Sequence, residues 1–278
     1  MKTQKDVISS LEGRLELRCE EKEGKSFLEH QYFSVPYHIS KTYWNESVLL
    51  VQVTNPTAGI FAGDRMTSSV MVGESASLLL TSPSAQRVYS MHKGDASQHI
   101  KYTVKKGGWL EVFPELFVPQ KKSRYRQECE VEIEAGGEVY FAEIIAPGRL
   151  THGENMQFEQ LDWNFKISYG GDLLSLERCY LNPLENPWML KVPNWEQTYY
   201  FSIWVLSDKL SEIKEQFYQK LDQLGGKELY LGFSSYDHRA IMIKGMSLCI
   251  LRLRKVMLEI RQLFSGLLHN LSVTVRKL

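Results

Sequence analysis

Apolar and polar residues alternate with a period of two over most of the chain, and the period lengthens to three or four only near its end. Over 14–21, Leu15, Leu17 and Cys19 alternate with charged neighbours, the pattern of a half-buried strand. A second β segment is expected over 27–39, rich in aromatics and bent or placed at an edge by Pro36, because proline cannot donate to a sheet ladder. The run over 48–53 is almost wholly apolar and reads as a strand covered on both faces. Four segments then share one plan: an apolar-x-apolar pair, two residues, a small pair, and a second apolar run. They are Val70-Met-Val72 with Ser75-Ala76 and Leu78–Leu80; Tyr102-Thr-Val104 with Gly107-Gly108 and Leu110–Phe113; Val131-Glu-Ile133 with Gly136-Gly137 and Val139–Phe141; and Phe165-Lys-Ile167 with Gly170-Gly171 and Leu173–Leu176. Each copy reads as a strand, a tight turn and a return strand, that is, a hairpin. A hairpin cannot bury its apolar face alone. Stacking the copies would bury a continuous core in the manner of a solenoid; four unrelated hairpins in a sandwich are the alternative.

Beyond the repeats, Leu210, Ile213, Phe217, Leu221 and Leu224 recur at helical spacing between a cap at Ser207 or Asp208 and a stop at Gly225. A hairpin is expected around Tyr236-Asp-His-Arg239. A second amphipathic helix follows over about 247–270, with Met257, Ile260, Phe264, Leu267 and Leu268 on one side. Its basic residues Arg252, Arg254, Lys255 and Arg261 read as a solvated face, with a partner-binding role as the alternative. The predicted class is therefore mostly β, a stack of hairpin repeats over about 14–205 followed by a helix-hairpin-helix portion over about 206–278, all in one domain.

The links between apolar runs are not bland. Asn55-Pro-Thr-Ala-Gly-Ile-Phe-Ala-Gly-Asp-Arg65 joins two buried runs. Its Gly59 and Gly63 admit close approach by another backbone or a ligand, and Asp64 and Arg65 place opposite charges after them. Its plainest reading is a tight connection with Asp64 as a cap. A phosphate loop is excluded, since that motif needs Gly-Lys-Ser/Thr and here Gly63 is followed by Asp64. Further links carry Thr81–Tyr89, Pro114-Glu115-Leu-Phe-Val-Pro119, and Glu143 through Gly148, Arg149, His152 and Glu154. If these links converge, Asp64, Glu115, Glu143 and Glu154 form an acidic pathway able to hold a divalent ion loosely.

Composition removes other chemistries. Lys plus Arg and Asp plus Glu number 33 each, which gives no electrostatic case for nucleic acid or an anionic membrane. The four cysteines are scattered and read as reduced thiols. The seven histidines form no His-x-His or His-x-x-x-His pair, so no high-affinity metal site has local support. No signal-peptide core and no apolar run of membrane-spanning length appears; a cytoplasmic location is expected. The tryptophans Trp109, Trp163, Trp188 and Trp195 do not recur at one repeat position, which disfavours a carbohydrate-active solenoid enzyme without excluding it. A purely structural interaction module is the other alternative.

The links in sequence carry a resemblance. Residues 55–65 resemble Asn-Pro-x-Gly-Gly-x-x-Gly-Gly-Asp, residues 81–89 resemble Thr-Thr-x-x-Ala-Thr-Lys-x-Tyr, residues 110–119 resemble Leu-Glu-x-x-Pro-x-x-x-Ile-Pro, and residues 143–154 resemble Glu-x-x-x-x-Gly-Arg-x-x-x-Gly-Glu. These are motifs of the urease accessory protein family UreD, also called UreH, and their order and spacing match across most of the chain. Ala58 and Ala62 stand where the family usually has glycine, and Pro83 and Pro147 are unusual. The resemblance implies a non-enzyme with a β-helix-like stack and two helices. It implies a complex with UreF and the GTPase UreG, docking on apo-urease, with two copies in a two-fold assembly. It also implies delivery of nickel to urease through an internal tunnel, with no tightly bound cofactor. On that reading Asp64, Glu143 and Glu154, then Glu115 and His152, line the transient nickel route. Arg65 and Arg149 hold carboxylates by bidentate pairing, and Gly59, Gly63 and Gly148 shape the links.

Overall fold

The computed structural model describes residues 10–185 and 194–272; residues 1–9, 186–193 with Trp188, and 273–278 lie outside the described residues. The described chain opens with a hairpin of β1 (Glu12–Lys22) and β2 (Lys25–Phe33), followed by β3 (His38–Ile39), β4 (Tyr43–Asn45) and β5 (Val48–Thr54). Three arches come next. In the first, β6 (Arg65–Val72) crosses to β7 (Ser77–Thr81), and the link out of it holds β8 (Gln86–Val88). In the second, β9 (Ala96–Val104) crosses to β10 (Trp109–Phe113), followed by β11 (Phe117–Pro119). In the third, β12 (Arg124–Ile133) crosses to β13 (Glu138–Ile145). The remaining elements are β14 (Gln160–Tyr169), β15 (Asp172–Leu181), β16 (Tyr199–Leu206), α1 (Glu215–Gln223), β17 (Tyr230–Tyr236), β18 (Ala240–Ser247) and α2 (Ile250–Ser265).

The repeat forms a β-solenoid, but its units are not the hairpins expected. β1, β6, β9, β12 and β14 pair in parallel with one another in one sheet, and β5, β7, β10 and β13 do so in the other. The two strands of each arch thus find their partners in neighbouring turns, not in each other. A run such as Leu78-Leu79-Leu80, buried throughout, needs cover on both faces, which an isolated hairpin cannot supply. Only the fourth copy is a true hairpin, β14 with β15 antiparallel. Its return strand has Leu173 and Leu176 exposed, so it adds to the first sheet instead of crossing. The small pairs lie in the arch turns. Ser75, Gly107 and Gly136 take left-handed φ there, and the turns stack, Gly107 N–H donating to Gly136 C=O at 3.0 Å.

The two sheets bury different patterns. The first keeps its apolar side chains inside and its charged ones in water, where Lys101 pairs with Glu132 at 2.8 Å across adjacent strands and Lys105 with Glu134 at 2.7 Å just beyond their ends. The second is covered on both sides. Its inner face meets the first sheet in a core that includes Leu49, Leu78, Leu110 and Phe141. Its outer face carries a second core, with Leu79, Tyr140, Ile203 and Ile243 under Leu253, Val256, Met257, Ile260 and Phe264 of α2. Each such buried side chain contributes roughly 1.5–3 kcal/mol relative to exposure. The β17–β18 hairpin forms as expected. The first predicted helix is interrupted: Ser207 Oγ accepts from Lys209 N–H at 3.1 Å and caps a 3-10 turn over Asp208–Glu212, then Ile213 and Lys214 are extended before α1 begins. No described helix is long and apolar enough to cross a membrane.

Candidate functional site

The links converge as a short third stack beside the two sheets. Ile60 bridges Val88, β8 pairs in parallel with β11, and Phe117 of β11 pairs with Ile145 of β13. Gly59 has φ +154°, and a Cβ there would meet the Arg87 carbonyl at 2.5 Å. Gly148, at φ +140°, is equally constrained by the Glu154 carbonyl. These two positions require glycine because neighbouring backbones touch them.

Within this frame the expected site residues separate into three groups. Asp64 is 1% exposed, and both its oxygens accept backbone hydrogen bonds, Oδ1 from Leu11 N–H at 2.9 Å and Oδ2 from Phe61 N–H at 2.8 Å. It ties the 55–65 link to the start of β1. Arg65 pairs with Asp95 at 2.6 Å and donates to the Asp95 and Asp64 carbonyls. Gly63 N–H donates to the same Asp95 carbonyl at 2.8 Å. Glu154 forms the second group with Arg149, which donates to it from Nε at 2.9 Å and from one Nη. It also accepts from Lys121 N–H at 3.1 Å, and the Arg149 hydrogen bond holds its carboxyl below the usual range. His152 lies exposed in the 3-10 turn beside this pair.

Glu143 and Glu115 make the third group, and both line one cavity of about 190 Å³ inside the solenoid. On β13, Phe141, Glu143 and Ile145 share the inner face, so Glu143 stands among core side chains and lines the cavity. Its Oε1 accepts from Trp163 Nε1 at 2.8 Å and Gln127 Nε2 at 3.2 Å. Burial pushes its carboxyl up to about 7; the Trp163 and Gln127 hydrogen bonds and Lys244 oppose this, while Glu177 reinforces it. Polar contacts continue inward. The Tyr125 hydroxyl donates to Gln98 at 2.7 Å and lies 3.4 Å from Gln127, and Gln98 donates to the Tyr37 hydroxyl at 2.9 Å. Glu143, Gln127, Tyr125, Gln98 and Tyr37 are therefore one connected polar row through an otherwise apolar core. Glu115 sits at the cavity with its side chain 10% exposed and paired to Arg254 of α2. The cavity is lined mostly by apolar side chains, with Glu143, Glu115, Gln98 and Gln127 among the groups that can hydrogen-bond a water there.

Sequence reasoning missed most of that row. Gln98, Tyr125 and Gln127 occupy ordinary alternating strand positions, and only their inward parity, shared with Ile100 and Cys129, marks them. It also misplaced Arg261. This residue is 7% exposed and faces the second sheet, where Nε and Nη2 donate to Glu111 at 2.6 and 2.9 Å. It lies four residues after Met257 and three before Phe264, on the buried face of α2. Among the described residues no group of three or more His, Cys, Asp or Glu is arranged to hold a metal ion.

The model of the family described as UreD urease accessory protein matches residues 11–278. The chain is 44% identical over 169 residues to the urease accessory protein UreD of Opitutus terrae, an alignment covering 60% of this chain and 62% of that protein. It is 30% identical over 174 residues to UreD of Acetivibrio thermocellus, covering 62% and 66% respectively. A more distant match, 23% identical over 224 residues, is to the urease accessory protein UreH of Helicobacter hepaticus, with 80% and 86% covered. The chain thus spans just under two thirds of the length of the first two relatives.

Proposed function

Because the chain belongs to the UreD urease accessory protein family, we propose that it is a non-enzymatic cytoplasmic scaffold for nickel insertion into urease. It acts in complex with UreF and the GTPase UreG on apo-urease, in two copies related by a two-fold axis. Nickel is cargo here. The ion passes through the solenoid interior, with Glu143 as its main contact and Glu115 at the same cavity. Asp64 and Glu154 hold the links that frame the route.

The observation that carries this reading is the polar row from Glu143 to Tyr37 within the solenoid core. Amides and phenols are neutral ligands. They replace part of the hydration shell of a hard or borderline divalent ion without trapping it. A carboxyl held near 7 is partly ionised at neutral pH, so it attracts the cation and yields it again more readily than a fully ionised pair would.

The test is to co-express apo-urease and its other accessory proteins with and without this chain, and to measure nickel per urease active site. Loading that depends on the chain supports the proposal; equal loading without it refutes it.

A further inference from the structure

A second cavity lies on the link side of the solenoid and shares no lining residue with the interior one. Its volume is about 370 Å³, and Arg87, Tyr89, Gln120, Arg149, His152 and Tyr199 line it. No Asp or Glu is among its described lining residues. Glu154, the acid beside Arg149, is already engaged by Arg149 and Lys121 N–H.

Two side chains here offer donors that no described residue accepts. Gln120 is 3% exposed, and its backbone is paired, N–H to Val88 C=O at 2.9 Å and C=O from Ser123 N–H at 3.0 Å. Its side-chain amide has no hydrogen-bond partner among the described residues and is left to the cavity it lines. The Arg87 guanidinium likewise has no ion pair or side-chain hydrogen bond among the described residues, whereas most arginines of this chain are paired. Arg149 uses Nε and one Nη on Glu154 and keeps its other Nη free of them.

The Arg87 backbone is held in place, while its side chain is exposed. Ile60 N–H donates to the Arg87 carbonyl and Tyr89 N–H to the Ile60 carbonyl, each at 2.8 Å. The Phe61 ring stacks on Tyr89 with centroids 4.7 Å apart. The small-residue link at 55–65 and the Gly148-Arg149 link therefore both serve to build this cavity.

We infer that this cavity binds a small oxyanion. The Arg87 guanidinium supplies the charge and a planar fork for two oxygens. The Gln120 amide and the spare Arg149 N–H groups supply further donors. The ligand is either a free inorganic oxyanion or a carboxylate presented by a docking protein. The inference does not rest on nickel delivery, and its test involves neither nickel nor urease.

The purified full chain is titrated calorimetrically at constant ionic strength, with sodium chloride as reference. The probes are sodium phosphate, sodium bicarbonate, sodium acetate, and a short peptide with a free terminal carboxylate set against its amidated form. Saturable binding of at least one probe is expected. Arg87→Gln should weaken it about tenfold or more, the loss of a charge-assisted contact, with an unchanged melting temperature. Gln120→Leu should weaken it too, and Arg18→Gln, on the solvent face of β1, should not. Binding of phosphate or bicarbonate identifies a free ion, and binding confined to acetate and the free-carboxylate peptide identifies a docked carboxylate. No saturable binding by any probe, or undiminished affinity in both the Arg87 and Gln120 variants, overturns the inference.

Discussion

Arg261→Met is the substitution whose cost follows most directly from the packing. It keeps the volume and removes the charge beneath α2. Glu111 is 0% exposed and has both oxygens held by Arg261 at 2.6 and 2.9 Å. Burial already pushes its carboxyl above the usual range, and Arg261 pulls it back. Removing the partner of a buried pair costs about 3–5 kcal/mol, because an uncompensated charge remains. With a urea m-value of about 3 kcal/mol/M, the unfolding midpoint should fall by about 1 M or more. The loss is pH-dependent. An unpaired Glu111 binds a proton more readily in the folded chain than in the unfolded one, so the variant regains stability as pH falls. Replacing both partners, Glu111→Leu with Arg261→Met, should return most of the loss, since an apolar pair of similar volume is often neutral or stabilising. Urea titration followed by tryptophan fluorescence at two pH values measures all three quantities. A midpoint unchanged in Arg261→Met, or a double variant as unstable as the single one, would refute the reasoning.

Three other outcomes follow from the same structure. Glu143→Gln should raise stability by about 1–3 kcal/mol at pH 8.5 and by little at pH 5, because a carboxyl held at about 7 costs stability once pH rises past its unfolded value; thermal melts at the two pH values check this. Asp64→Ala removes the acceptors of Leu11 and Phe61 N–H and should cost about 2–4 kcal/mol by chemical denaturation, with any loss of nickel loading tracking the folded fraction. Gly148→Ala forces a Cβ against the Glu154 carbonyl at φ +140°, and a loss of about 1–3 kcal/mol should appear as a lower melting temperature.

The solenoid was legible because its strands obey parity: Leu15, Val70, Tyr102, Val131 and Ile167 face inward wherever alternation says so. What alternation does not encode is the partner of a strand. A small pair between two apolar runs serves an arch as well as a hairpin, and only the fourth copy, with its exposed Leu173 and Leu176, closes on itself. An acidic pathway requires the links to bring their carboxylates together, which spacing does not encode; the fold gives Asp64 and Glu154 backbone and arginine partners and puts Glu143 and Glu115 at one cavity. The inner row of Gln98, Tyr125 and Gln127 was invisible because a polar residue at an inward position looks like a pattern error until its neighbours are known. Arg261 was misread for the converse reason. A cation on an amphipathic helix is assigned to water by default, and its partner Glu111 lies far away in sequence on β10.

The central claim, that nickel reaches urease through the polar interior of this chain, is tested most directly at Glu143. Glu143→Ala is co-expressed with apo-urease and the other accessory proteins, the assembled complex is isolated, and nickel per urease active site is measured beside the intact chain and beside Glu196→Ala, a carboxylate that lines neither cavity. The account predicts that the complex forms in all three cases and that nickel loading falls only in Glu143→Ala. Full loading by a correctly assembled Glu143→Ala complex would contradict it.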